Sequence, residues 1–236
     1  METSIDGTEG AGRKPRRRAL LVGLALAVAI GVLGSGYTLL RRSPNGPLDT
    51  HTGAGGISIY GPERARYRAT FGSIIPCVEK GGSIEITDVT YDYSVPARRT
   101  ELWVRTFDVP AQNPKRAINS GVLTNPLGSP PRFDEPYADG PYPGTFTRAE
   151  LPLTITDTCE ELDALHDQMA EGRAAGPFTE LLVSMKVDGG ASLESVRFDY
   201  EAGLRKYYLV TAWQYVACGD RIQDHDGCRG RRQRSP

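Results

Sequence analysis

Twenty-two consecutive residues without a charge, Ala19 to Leu40 (ALLVGLALAVAIGVLGSGYTLL), constrain this 236-residue chain more than any other feature. At about 1.5 Å per residue, a helix over this run is about 33 Å long, enough to cross a hydrocarbon core about 30 Å thick. A helix satisfies its own backbone hydrogen bonds, so it can lie in lipid. Arg13-Lys14-Pro15-Arg16-Arg17-Arg18 precedes the run, and only Arg41-Arg42 follows it. The heavier cationic flank is retained in the cytoplasm. The expected layout is a basic cytoplasmic head over 1–18, a transmembrane helix over 19–40 contacting the bilayer, and the rest of the chain outside the cell. Two other readings of the same stretch are a cleaved secretory signal, with Gly34 and Gly36 at the cleavage spacing, and a twin-arginine leader at Arg17-Arg18-Ala19-Leu20-Leu21. Both also export residues 43–236. The small-residue stripe Gly23, Ala27 and Gly31 is ordinary for a membrane helix.

The net charge of −1 hides an asymmetry. Residues 1–42 carry seven basic and three acidic side chains, residues 43–228 carry 17 basic and 26 acidic, and residues 229–236 add four arginines. An acidic exported domain excludes a nucleic-acid partner. The basic tail 229–236 reads as a solubilising end, or as a contact with anionic headgroups or wall polymers.

Residues 41–56 are rich in Gly, Pro and Thr and read as a flexible linker. From Ile57 to Cys228 the pattern is β-like, over enough chain to bury a core. Ile57–Tyr60 and Arg66–Gly72 are short strand candidates. Ser83–Val95 alternates with a change of phase near Asp88, which predicts a bulge. Thr100–Val109 alternates Trp103 and Phe107 against Leu102 and Val104. Leu151–Thr156 leads into Thr158-Cys159-Glu160-Glu161, a capping box, and Leu162, Leu165 and Met169 then recur at helical spacing up to Gly172. Glu180–Val187, Asp188-Gly189-Gly190 and Leu193–Tyr200 predict a hairpin, and Tyr207–Cys218 a last strand. Seven or so strands with one short helix predict a mainly β fold, an immunoglobulin-like β-sandwich.

All four cysteines, Cys77, Cys159, Cys218 and Cys228, lie in the exported part, and an even number there predicts two disulfides. Of three possible pairings we favour Cys159 with Cys218, because both end expected strands, and hence Cys77 with Cys228. The chief rival joins Cys218 to Cys228 and Cys77 to Cys159.

Chemistry-bearing motifs are missing: there is no G-x-S-x-G, H-E-x-x-H, phosphate-binding loop or dinucleotide fingerprint. No catalytic, cofactor-binding or metal-binding residue is therefore assigned. The nearest approach to a metal site, Asp220 with Asp224-His225-Asp226, lacks calcium-loop spacing and reads as a solvated turn. His51 reads as a linker residue, and His166 as a partly buried packing residue at the edge of the helical stripe.

Residues 110–143 hold eight of the 17 prolines and fit no regular element. Loops of this length are functional or disordered. Phe133, Tyr137 and Tyr142 lie in this loop; the favoured reading is that they pin it onto the sandwich, and the alternative makes them contact-surface candidates.

Arginine outnumbers lysine 23 to 5, and the last expected strand ends Tyr215-Val216-Ala217-Cys218-Gly219. With its basic head, single span and Gly/Pro tether, the chain resembles small single-pass membrane proteins of high-GC actinobacteria. The resemblance implies a bacterial cell envelope and transfers no activity. The expected role is a non-catalytic envelope binding or accessory module, acting through the sandwich edge or the Pro-rich loop on an envelope protein or wall polymer. The competing role is an envelope hydrolase or metal-dependent enzyme.

Overall fold

The computed structural model describes residues 42–50, 55–61, 66–109, 126–134, 142–226 and 228. Among them no helix is long and apolar enough to cross a membrane. The apolar run 19–40, His51, Tyr137 and the basic tail lie outside the described residues.

The described chain is mainly β, in two principal sheets. One has the order β10 (Leu153–Ile155), β5 (Ile84–Val95), β12 (Ala191–Ala202), β14 (Trp213–Cys218), β2 (Gly55–Tyr60). In this sheet β13 (Arg205–Thr211) shares one edge of β12 with β14. The other sheet has the order β3 (Arg66–Ile74), β11 (Ala175–Asp188), β6 (Arg99–Val109), β9 (Thr145–Arg148). Two minor pairs join β1 (Leu48–Asp49) to β4 (Cys77–Val78), and β7 (Gly128–Ser129) to β8 (Arg132–Phe133).

The core follows from period-2 alternation. Leu181, Val183, Met185 and Val187 of β11 are fully buried, as are Val196, Phe198 and Tyr200 of β12. Residues of both sheets join in one apolar cluster, so the sheets pack face to face. Phe71 and Tyr215 meet across the core with ring centroids 5.1 Å apart, and the Tyr215 hydroxyl donates to the Gly72 carbonyl at 3.1 Å. The phase change near Asp88 is a bulge. Asp199 lies opposite Asp88 and Tyr200 opposite Ile86, so Thr87 is the extra residue.

The expected hairpin at Asp188-Gly189-Gly190 does not form. β11 pairs with β3 and β6 in one sheet, and β12 pairs with β5, β13 and β14 in the other. The two glycines, at φ of 71° and 114°, carry the chain from one sheet to the other. Local turn chemistry marks a reversal; the long apolar runs on either side are each buried in a different sheet, and that burial turns the reversal into an arch. β5 and β6 are joined by a parallel arch, so β5 lies beside β12 and β6 beside β11. Arg98 N–H donates to the Lys186 carbonyl at 2.9 Å and extends the β6–β11 pairing to the start of β6.

The expected strand Tyr207–Cys218 breaks at Ala212 into β13 and β14. At the break, the Thr211 hydroxyl donates to the Val196 carbonyl at 3.2 Å and accepts from Val196 N–H at 3.3 Å. A side chain thus takes the place of the ladder while the chain changes register.

The helix α1 (Cys159–Ala170) starts at the predicted capping box, with Thr158 Oγ1 accepting from Glu161 N–H at 3.2 Å. It ends at Gly172, at φ of 75°. Leu162 packs on Phe107 and Phe178, at one end of the outer face of the second sheet. Disulfides join Cys77 to Cys159 and Cys218 to Cys228. The favoured pairing is therefore replaced by its rival. Cys159 begins the helix beside β4, while Cys218 ends β14 in the opposite sheet, so the two do not meet.

Residues 42–50, read from sequence as part of a flexible linker, are laid along the sandwich. Arg42 Nη1 sits 2.6 Å from Asp199 Oδ2, Ser43 bridges to Tyr207 in parallel, and Leu48 N–H donates to the Tyr200 hydroxyl at 3.3 Å. The linker composition suits this path, because at Gly46 the chain crosses the stacked rings of Tyr200 and Tyr207 with no room for a side chain.

Candidate functional site

β2 runs parallel to β14 at the rim of the first sheet, with Tyr215 opposite Ile57 and Val216 opposite Ser58. Beyond Cys218 the chain makes a single 3-10 turn, Asp220–Ile222, and returns. Arg221 N–H donates to the Gly189 carbonyl at 2.7 Å, which anchors the turn to the arch between the sheets. Ile222 packs with Val216 and the two cysteines, and the Cys218–Cys228 disulfide closes the loop at a Cα separation of 5.6 Å. These contacts and the disulfide tie the loop to the rim.

Between loop and rim lies an open cleft of about 500 Å³. Ile57 and Val216 give it apolar surface, Ser58 and Gln214 come from the strands, and Asp224, His225 and Asp226 come from the loop. Of the residues read from sequence as a solvated turn, Asp224, His225 and Asp226 wall the cleft and Asp220 does not. Among the described residues no cluster of three or more His, Cys, Asp or Glu side chains is placed to hold a metal ion.

A polar chain fixes one wall. Gln214 Nε2 donates to Glu194 Oε2 at 2.7 Å and lies 3.3 Å from His225 Nε2. The Gln214 amide nitrogen thus lies between Glu194 and His225. Glu194 Oε1 accepts from the hydroxyls of Ser94 and Ser192. These bonds hold the Glu194 carboxyl below the usual glutamate range. The Ser94 bond is the main cause; Ser192, Gln214 and the nearby His225 add to it against the opposing effect of burial. The Glu194 carboxylate thus stands behind Gln214, which lines the cleft. The acidic side chains that line the cleft are Asp224 and Asp226. Such a lining suits ligands that donate hydrogen bonds, such as ammonium groups or sugar hydroxyls.

The second buried polar feature lies on the outer face of the other sheet. Arg105 Nη1 contacts Glu180 Oε2, and Arg105 Nε donates to the Pro143 carbonyl at 2.8 Å. The guanidinium lies 3.9 Å above the Phe107 ring, and Ser73 N–H donates to Glu180 Oε1 at 2.9 Å.

The described part of the Pro-rich segment, residues 126–134 and 142–143, packs over this face. Thr70 Oγ1 donates to the Gly128 carbonyl at 2.9 Å, and Thr70 N–H to the Pro126 carbonyl at 3.0 Å. Phe133 meets Tyr142 edge-on at 4.6 Å and Phe146 at 5.6 Å. Two of the three aromatic candidates therefore pack against each other and against β9. Part of a segment expected to be without regular structure forms the β7–β8 pair. His166 is exposed on α1, not partly buried. The packed stripe runs through Leu162, Leu165 and Met169; position 166 lies at its edge, one turn beyond Leu162, where the side chain reaches solvent.

Sequence reading overlooked the pairing of Arg105 with Glu180 and the Gln214–Glu194 link. The signal for the first was present: Arg105 stands between Trp103 and Phe107 in the alternation of β6, where a charge is out of place unless it is buried with a partner. Comparison with protein-family models and with curated proteins finds no match to this chain.

Proposed function

We propose that this chain is a single-pass protein of a bacterial cell envelope, with residues 1–18 inside, 19–40 in the membrane and the sandwich outside as a non-catalytic binding module. The observation that carries the binding role is the acidic cleft at the sheet rim, walled by a loop that a disulfide closes. The two disulfides suit folding in an oxidising compartment. The apolar run 19–40 and its cationic flank supply the membrane part of the reading.

We read the sandwich as immunoglobulin-like. Support comes from strand order: β3-β11-β6 in one sheet and β5-β12-β14 in the other. Taken in chain order, these six strands occupy the B-E-D and C-F-G positions of that fold.

The ligand is a hydrogen-bond-donating wall component, such as an amine- and hydroxyl-bearing glycan. The test is co-sedimentation of the full chain, in detergent, with insoluble peptidoglycan. Binding that drops severalfold in Asp224→Asn/Asp226→Asn supports the reading. Absence of binding, or binding indifferent to that change, removes it. The competing hydrolase reading draws on Ser58 and His225 sharing one cleft. It requires turnover of wall fragments that His225→Ala abolishes.

A further inference from the structure

We propose that the hairpin tip joining β12 to β13, Gly203 to Lys206, is a second contact with the lipid surface. Leu204 enters the interfacial region, and Arg205 and Lys206 face anionic phosphates. This inference rests on the membrane-anchored part of the reading above, not on the ligand.

Leu204 is 91% exposed, the most exposed large hydrophobic side chain among the described residues, and Arg205 and Lys206 beside it are exposed too. The path of the chain says what faces the tip. Ser43 pairs with Tyr207 in parallel, its N–H donating to the Lys206 carbonyl at 3.1 Å and its carbonyl accepting from Tyr208 N–H at 2.9 Å. In a parallel pair, both chains traced backwards run in the same direction. Back from Tyr207 lie Lys206, Arg205 and Leu204; back from Ser43 lie Arg42, Arg41 and Leu40, where the apolar run ends. Three residues span at most about 10 Å. Arg42 is held on Asp199 at 2.6 Å, so the remaining slack is shorter still. Leu40 is therefore within about 10 Å of Ser43, and the hairpin tip within about 10 Å of Tyr207, so a bilayer that the chain leaves at Leu40 is within reach of the tip.

The chemistry of the tip matches that place. An aliphatic side chain flanked by cations enters the headgroup layer, while the cations remain with the phosphates. Lys206 Nζ lies 3.1 Å from Glu201 Oε1, so Arg205 is the cation without an acidic neighbour in that pair. The occupant is a phospholipid surface; a second copy of the chain is the alternative that the test separates.

The experiment uses the full chain reconstituted in vesicles containing phosphatidylglycerol. An environment-sensitive fluorophore is placed at Leu204→Cys and, as a control, at Ala164→Cys on the exposed side of α1. Emission from position 204 that shifts to the blue and is quenched severalfold more than position 164 by spin-labelled lipid supports the proposal. Arg205→Glu/Lys206→Glu is expected to lower that quenching severalfold. A chain that floats with the vesicles while position 204 is no more quenched than 164 overturns the lipid contact and leaves the anchor standing. A blue shift that grows with protein density without lipid quenching assigns the tip to a second copy and overturns it as well. A chain that does not float with vesicles takes down both the anchor and this inference.

Discussion

Arg105 Nη1 and Glu180 Oε2 lie 2.9 Å apart on adjacent strands, with 1% and 0% of their side chains exposed. Both are desolvated, so their attraction offsets a large penalty and each is costly to leave alone. Pro143, Phe107 and Ser73 complete the setting. The pair joins the sheet to the segment folded over it.

Removing one partner strands a buried charge. Glu180→Ala is expected to destabilise the domain by about 3–5 kcal/mol, whereas Arg105→Met/Glu180→Leu is expected to recover most of that loss. Equilibrium unfolding in urea distinguishes the two outcomes. If the single and double variants have equal midpoints, the pair is not a coupled unit.

The two disulfides close loops of very different length. By the chain-entropy relation, the bridge spanning 82 residues restricts the unfolded chain by about 4.5 kcal/mol, and the one spanning 10 residues by about 2.7 kcal/mol. Cys77→Ser/Cys159→Ser should therefore lower the unfolding midpoint more than Cys218→Ser/Cys228→Ser. The second variant should instead weaken binding at the cleft, because it frees the loop that carries Asp224 to Asp226.

Gly46 lets the segment 42–50 cross two tyrosine rings. A Cβ at this position would lie 2.6 Å from Cγ of Tyr207 and overlap the Tyr200 hydroxyl. Gly46→Val is expected to lift the segment away. The Tyr208 amide, bonded to the Ser43 carbonyl, and the Leu48 amide, bonded to the Tyr200 hydroxyl, should then exchange with deuterium much faster. Amides of β11 in the opposite sheet should stay protected. Unchanged exchange at Leu48 and Tyr208 would refute the docking.

Glu194 predicts a pH dependence with a definite sign. Its folded carboxyl titrates below the unfolded value of about 4.3. The unfolded chain therefore takes up a proton first as pH falls. The stabilisation is complete above about pH 4.3 and is lost as pH drops through the lower, folded value. Thermal unfolding of the parent chain and of Glu194→Gln between pH 3 and 6 should show a smaller acid-side decline in the variant. Parallel curves would count against the hydrogen-bonded carboxylate.

Much of the fold was readable because its signals are local. The alternation through Leu181 to Val187 marked a buried strand, the phase change near Asp88 marked the bulge, and Thr158 with Glu161 marked the start of the helix. The candidate site was barely readable. Gln214 and Glu194 are 20 residues apart, and Ser58 and His225 come from opposite ends of the domain. No spacing rule joins side chains that meet only through a parallel pairing of the first and last strands of the first sheet.

From the sequence alone come the uncharged run with its cationic flank, the mainly β pattern and the even set of cysteines, because hydropathy, periodicity and composition belong to consecutive residues. Tertiary structure decided the rest. It made Asp188-Gly189-Gly190 an arch in place of a hairpin, joined Cys77 to Cys159, laid residues 42–50 on the sandwich and buried Arg105 against Glu180. Each of these depends on which distant surface completes burial or which distant atom satisfies a bond, and residues far apart in the chain acquire that relation only when the sheets close over a common core.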